Sequence, residues 1–385
     1  MVLRTQKVRL YPNKTMQKVL DDLCNYQRYC WNAGLALWNE MYAESLILED
    51  KRLKPTQYKV RDELVANKED WQYRLSARCL QLAIEDLSKA WKNFFNKAQV
   101  DWGRPKFKSK KAPRQGFKTD RAKIIDGKLR LDKPREIRDL WFDIRFKGAR
   151  SLEGELKVVS IYRENGKYWA SLPFEVNVET KPKTDRVTAV DVNVGHFNYT
   201  AGQINTLPKR LNHLYQRIKY YQKSLAKKRT VNGKRATKSN NYVKTRAKLQ
   251  RDYRKVANIQ HDIMQKFTTQ LVEEYDKIVI EDLQVKQMQM THVASKGLQR
   301  SMFGYFRQIL SYKCDWYGKD LLIADKYYPS TQRCSNCGYV KTGEEKVGLN
   351  GNLKYGTKHN EYICYECGNI MDRDENAVLN LLALI

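Results

Sequence analysis

Histidine is scarce in this chain. The five present, His196, His213, His261, His292 and His359, form no HxH pair and no HExxH. That argues against a histidine-bound metal site of the single-strand transposase kind and against a nuclease built on a histidine base. Acid is short as well: 43 Asp and Glu stand against 72 Lys and Arg, a formal charge of +29 over 385 residues. No apolar run approaches the roughly 20 residues that cross a bilayer, so no membrane partner is expected. The opening MVLRTQKVRLYP alternates and carries charge, unlike a signal or transit peptide. Nor is cysteine arranged as a secreted disulfide framework. Cys24, Cys30, Cys79 and Cys314 are scattered, as the reduced thiols of a cytoplasmic protein are. There is no internal repeat, and low complexity is confined to short basic runs.

What is abundant is positive charge interleaved with aromatic rings, and that combination selects nucleic acid as partner over a membrane surface. The charge is concentrated. Between Arg104 and Lys118 the stretch GRPKFKSKKAPRQGFK carries seven Lys or Arg, among them Arg104, Lys106, Lys108, Lys110 and Lys111. From Lys209 to Lys255 there are seventeen against one acid, Asp252. A merely solvated helical face mixes its signs, so this segment is assigned to phosphate contact, with Lys227, Lys228, Arg229, Arg246, Lys248, Arg251 and Arg254 as candidates.

Periodicity divides the chain. VLRTQKVRLY reads as a strand ended by Pro12. From about Thr15 to Lys97 apolar residues recur three and four apart, as in LQLAIEDLSKAWKNFF, which predicts helices. Strands return in IIDGKLRL and VVSIYRENGKYWASLPFEV, where Asp126-Gly127 and Asn165-Gly166 predict tight hairpins. The first strand and this block form one small β domain, with the helices as an insertion. KPKTD at 181–185 reads as a linker to an α/β region. There VTAVDV and KIVIEDL are short apolar strands ending in acid, joined through a long helical segment from about Pro208 to Tyr275 broken at VNGKRATKSNN.

Two candidate metal centres follow. Cys334, Cys337, Cys364 and Cys367 form two CxxC pairs separated by 26 residues, the four thiolates of a closed, structural zinc site. The second centre is acidic. Asp191 follows a β-forming, mostly apolar run, and in KIVIEDL either Glu281 or Asp282 holds the equivalent place. Neighbouring residues of a strand face opposite ways, so only one of the two can join Asp191. A third acid lies in CGNIMDRDENAVLNLL. Asp372 with Glu375 three residues on resembles a capping box, which predicts Asp372 as the cap of the last helix and leaves Asp374 to act as ligand. Two strand-end acids and one at a helix start are hard oxygen ligands suited to Mg²⁺. A pair of such ions about 4 Å apart would activate water against a phosphodiester.

At this point the motifs together resemble the TnpB (OrfB) family of transposon-encoded proteins, relatives of the type V CRISPR effector nucleases. The resemblance runs over nearly the whole chain: RLYPNKTMQ, LQLAIEDLSKAWKNFF, GRPKFKSKK, IVIEDLQVKQM, FGYFRQILSYKCDWYGK, YYPSTQRCSNCG and CGNIMDRDENAVLNLL. It implies an α/β multidomain protein with a RuvC (RNase H-like) nuclease domain over 185–326 and 368–385. A four-Cys zinc ribbon over 327–367 would be inserted in it. A small β-barrel wedge domain over 1–14 and 105–180 and a helical recognition domain over 15–104 would complete the chain.

The implied function is RNA-guided, Mg²⁺-dependent cleavage of double-stranded DNA beside a short target-adjacent motif, by a monomer carrying one guide RNA in the prokaryotic cytosol. Asp191, Glu281 and Asp374 would be the catalytic acids and Mg²⁺ ligands, which chooses Glu281 over Asp282. Thr56, Ser76 and Gln81 fall where the family reads the adjacent motif, although Thr56 and Ser76 equally read as helix caps. Where the family's first nuclease motif has acid, apolar, glycine, this chain has Asp191-Val192-Asn193, and Asn is the next residue after Gly in tolerance of positive φ. Two other functions use the same residues: a guided DNA-binding regulator that does not cut, and an unguided RuvC-type nuclease.

Overall fold

Alternation in VLRTQKVRLY gives strand β1 (Val2–Tyr11), with Val8 and Leu10 turned into the core. The computed structural model describes residues 1–96, 102–132, 142–148, 153–228, 230–231, 234–235, 239–283, 295–348 and 350–385. They fall into two compact units, Met1–Asn177 and Val178–Ile385.

In the first unit, Asn13 caps α1 (Lys14–Ile47) by accepting from the Met16 N–H at 2.8 Å. Helices α2 (Gln57–Ala66), α3 (Asp70–Tyr73) and α4 (Ala77–Phe95) follow. Helix α4 buries Cys79, Leu80, Ala83, Ile84, Leu87 and Trp91, one face at helical spacing. Gly34 of α1 has no Cβ where the Ile84 side chain packs, so the two helices approach closely.

Strands β2 (Arg114–Thr119), β3 (Lys123–Ile125), β4 (Lys128–Arg130), β5 (Ile144–Lys147), β6 (Glu155–Leu156), β7 (Val159–Glu164) and β8 (Lys167–Val176) complete the unit. Asp126-Gly127 and Asn165-Gly166 hold φ of 49° and 68° and of 50° and 69°, the left-handed pairs that join β3 to β4 and β7 to β8 as tight hairpins. The strand order is β2-β7-β8-β1-β5-β4-β3, with β6 also on β8. This path is open among the described residues, whereas the sequence predicted a barrel. The two end strands are joined through Asp120–Ala122 alone, so the sheet must curl until its edges lie near one another. Strands and helices share one core, in which Val8, Leu10, Phe117, Leu129 and Ile161 meet Met16, Leu20, Leu23 and Leu80.

In the second unit a five-stranded sheet runs β11-β10-β9-β14-β15. Its members are β9 (Val187–Val192), β10 (His196–Tyr199), β11 (Gly202–Asn205), β14 (Lys277–Glu281) and β15 (Asp320–Ala324). Between β11 and β14 lie α5 (Lys209–Lys227), a two-residue hairpin β12 (Thr230–Val231) and β13 (Lys234–Arg235), and α6 (Asn240–Glu274). Helices α7 (Ser295–Ser301) and α8 (Phe303–Tyr317) precede β15. Strands β16 (Glu361–Ile363) and β17 (Ile370–Asp372) lead into α9 (Arg373–Leu382). Alternation splits the sheet by face. Val190, Val192, Ile278 and Ile280 pack with Phe267, Leu271, Phe306 and Leu310 of α6 and α8. Ala189, Val279 and Ala324 pack with Val378 and Leu381 of α9. No helix among the described residues is long and apolar enough to cross a membrane.

Candidate functional site

Two residues on from Ala189 and from Val279, the same alternation brings Asp191 and Glu281 onto the face that α9 covers. β9 and β14 run parallel with Val190 beside Ile280, and one step further along the register lie the two acids. On the other flank, Asn198 of β10 is the antiparallel partner of Asp191. Ala324 of β15 pairs with Glu281. Asn198, Asp191, Glu281 and Ala324 therefore form one row across the sheet. Asp282, one residue past the end of β14, lines the same cleft and ion-pairs with Arg307.

Asp191 is 3% exposed. Desolvation lifts its pKa well above the ordinary carboxylate range, the negative charges of Glu281 and Asp374 add to the rise, and Asn193 and Arg373 oppose it. Glu281 is raised too, by desolvation first and by Asp374, against a hydrogen bond from Ser330. Both acids line a cleft of about 470 Å³ with Asn193, Asp325, Lys326, Ser330 and Arg373. The Nε of Arg373 is buried and has no hydrogen-bond partner.

Asn193 is not among the residues with positive φ. That backbone conformation belongs to Gly195, at 100°. The Asn193 side-chain amide instead donates to Asp191 Oδ2 at 2.6 Å, so the departure from glycine adds a contact to the acid, and the left-handed residue lies two places later.

At the start of α9, Asp372 is the N-cap, its Oδ1 accepting from the N–H of Asp374 at 2.9 Å and of Glu375 at 3.2 Å. Asp374, in the first turn, is freed from capping but not from partners. Its Oδ2 accepts from His196 Nε2 at 3.1 Å and Asn198 Nδ2 at 3.0 Å, and its Oδ1 from Arg373 at 3.3 Å. It lines a second hollow, with Asn198, Gln203 and Glu375. Its charge is near enough to raise the pKa of both Asp191 and Glu281. Among the described residues, however, the four cysteines are the one His/Cys/Asp/Glu group drawn close enough to share an ion.

Those thiols lie within 4.8 Å of one another. Cys334 and Cys367 are 3.7 Å apart, and Cys337 and Cys364 are 3.5 Å apart. A tetrahedron with metal–sulfur bonds of about 2.3 Å has edges of about 3.8 Å, so the cluster fits a structural zinc site. The first knuckle is clamped to α9. Asn376 Oδ1 accepts from the Ser335 N–H at 3.0 Å, and Asn376 and Asn380 donate to the Arg333 carbonyl at 2.7 and 2.6 Å. Asn380 also donates to the Ser330 carbonyl at 2.8 Å. Both asparagines are buried.

Sequence reasoning missed this clamp, along with His196, Asn198 and Ser330. The signal for the clamp was present: Asn376 and Asn380 are polar residues four apart on an otherwise apolar helix face.

The candidate nucleic-acid residues are spread over the molecule. Thr56 and Ser76 are the N-caps of α2 and α4, accepting from Lys59 and Arg78, and Ser76 also donates to Asp132 at 2.6 Å. Gln81 accepts from Arg78. Arg104 reaches Asn39 at 3.0 Å. Lys108 Nζ lies 3.6 Å from the Trp31 ring centre, while Lys106, Lys110 and Lys111 are exposed. Lys227 and Lys228 end α5, Lys228 reaching Thr245 at 2.9 Å. Arg246, Lys248, Arg251 and Arg254 lie on α6. Arg229 lies outside the described residues.

Three family models match successive stretches: a helix-turn-helix domain over 1–46, a "probable transposase" over 171–291, and a "Cas12f1-like, TNB domain" over 303–381. The first stretch folds here as β1 and most of α1, not as two helices. A protein of Streptomyces pristinaespiralis named "putative RNA-guided DNA endonuclease" is 28% identical over 99% of this chain and 89% of its own. InsQ of Escherichia coli K12, given the same name, is 28% identical over 71% of this chain and 69% of its own. In a complex with sgRNA and target DNA, Cas12f1 aligns over 99% of this chain and 98% of its own with a TM-score of 0.53. At 13% identity that is a likeness of fold.

Proposed function

We propose that this chain, which belongs to the TnpB (OrfB) family of transposon proteins, is an RNA-guided endonuclease that cuts double-stranded DNA beside a short adjacent motif. The observation that carries the reading is the pair Asp191 and Glu281, side by side in the sheet on the face covered by α9, the helix whose first turn holds Asp374. Two desolvated carboxylates with a third nearby repel one another, and an unpaired buried charge is too costly to keep for packing alone. A cation resolves the conflict. Their hard oxygens fit Mg²⁺, and Asp191, Glu281 and Asp374 are the residues that would hold it. When bound, Mg²⁺ supplies an activated water and charge stabilisation at the leaving oxygen.

The chain's own groups do the rest. Asn193 and Ser330 each fix one oxygen of Asp191 and Glu281. Arg373, with an unpartnered Nε in the cleft wall, suits a scissile phosphate. The basic faces of α5 and α6 suit the backbone of a long nucleic acid. Sequence choice would rest on base pairing with the guide, the protein reading shape and the adjacent motif. The relatives' names and the Cas12f1 complex support RNA and DNA as partners.

The test is to purify the chain with the RNA that accompanies it, sequence that RNA, and present a matching double-stranded target with Mg²⁺. Guide-dependent cleavage supports the reading. Binding without cleavage marks a guided regulator, and cleavage as strong after RNA removal marks an unguided nuclease.

A further inference from the structure

Each of the three acids has one oxygen tied by a donor of the protein. Asn193 takes Asp191 Oδ2 and Ser330 takes Glu281 Oε1. At Asp374 the tie is double, His196 and Asn198 converging on Oδ2 at 3.1 and 3.0 Å. Oδ1 has only Arg373, at 3.3 Å. A carboxylate oxygen has two lone pairs, so Oδ2 is filled and Oδ1 keeps room for a ligand.

His196 and Asn198 stand two apart on β10, so they share a face, and that face is the one carrying Asp191. Asn198 is fixed by its pairing with Asp191 across the strands. Asp374 arrives from the other direction, on the first turn of α9. Two donors built into the sheet thus meet an acid built on a helix.

We propose that His196 and Asn198 are positioning residues that turn Asp374 Oδ1 toward a divalent cation shared with Asp191 and Glu281. The inference rests on the nuclease reading of that site. Groups outside the ligand set orient the ligands, and their loss typically weakens metal affinity or activity by about 10- to 100-fold. The same donors could instead hold Asp374 back from the cation, and the two roles predict opposite changes in affinity.

The experiment uses Mn²⁺ as probe and the full chain with its copurified RNA. Binding is read by electron paramagnetic resonance without DNA, so no cleavage is required. Wild type and Asp191→Asn come first: if both bind Mn²⁺ alike, the acidic metal site itself is refuted. If Asp191→Asn loses binding, His196→Ala and Asn198→Ala are titrated beside His196→Gln, which keeps an N–H donor, with thermal unfolding matched to wild type.

Positioning predicts a Mn²⁺ dissociation constant about 10-fold weaker for each alanine variant, partial recovery in His196→Gln, and cleavage that returns at high Mg²⁺. Unchanged binding in both alanine variants overturns the proposal, and so does tighter binding.

Discussion

The Ser330 hydroxyl donates to Glu281 Oε1. Ser330 lies four residues before Cys334, the first of the four clustered cysteines, so the chain entering that cluster is tied to the end of β14. The bond lowers the pKa of Glu281 against the rise that desolvation imposes. Removing it in Ser330→Ala should raise that pKa further, so the ionised form is lost at a higher pH. Cleavage should fall by about 10-fold near neutrality, and the acidic limb of the rate profile should move to higher pH, with Ser330→Thr between the two. A pH–rate series at saturating Mg²⁺ measures this, and an unmoved limb would count against the contact.

Asp372 and Asp374 should separate cleanly. Asp372→Ala removes a cap and should cost about 1 kcal/mol of stability while most cleavage survives. Asp374→Ala should abolish cleavage and leave guide and target binding intact, because losing an anion weakens no phosphate contact. Assays of binding and cutting side by side decide it, and the reverse pattern would show the roles to be exchanged.

One zinc per chain is expected, needed for the site's shape and not for its chemistry. Cys364→Ser should lose zinc and cleavage together, because Asn376 and Asn380 reach from α9 to the first knuckle. Replacement by Co²⁺ should give the absorption of a tetrathiolate site with the cleavage rate retained. Active protein without zinc on metal analysis would refute the role.

A structural ion pair gives a stability test. Lys319, with a side chain 1% exposed, pairs with Asp276, which also accepts from the N–H groups of Thr184 and Asp185 at 2.7 and 2.6 Å. These contacts, Lys319 foremost, lower the Asp276 pKa from 3.8 to about 2. A depressed folded pKa contributes stability above the unfolded value that is lost as pH falls through the folded one. Asp276→Asn should therefore be less stable than wild type at neutral pH, with the gap narrowing between about pH 4 and pH 2. Denaturant midpoints across that range measure it.

Much of the site was legible because its signals are local. An apolar run ending in acid marked β9 and β14, and Asp372 with Glu375 marked the helix start. Thr56 and Ser76 were readable as caps for the same reason. Other relations needed the third dimension. Alternation separates Glu281 from Asp282, but only the docking of α9 shows which of them shares a face with the helix that carries Asp374. His196 and Asn198 lie in a four-residue strand whose register against β9 no pattern specifies, and Asp374 is far from both in sequence. The sheet of the first unit shows the same limit: its hairpins are encoded in two dipeptides, whereas the pairing of β1 with β8 joins strands more than 150 residues apart.

The placement of α9 over the second face of the sheet has a consequence for how the protein is made. Asp191 and Glu281 leave the ribosome first, and Asp374 follows only after the ribbon, roughly 5 to 20 seconds later at ordinary elongation rates. Until then Ala189, Val279 and Ala324 have no cover, and the two acids on that face stay hydrated and lack their third partner. A half-translated chain thus carries both basic helices, α5 and α6, while the acidic cluster still lacks Asp374.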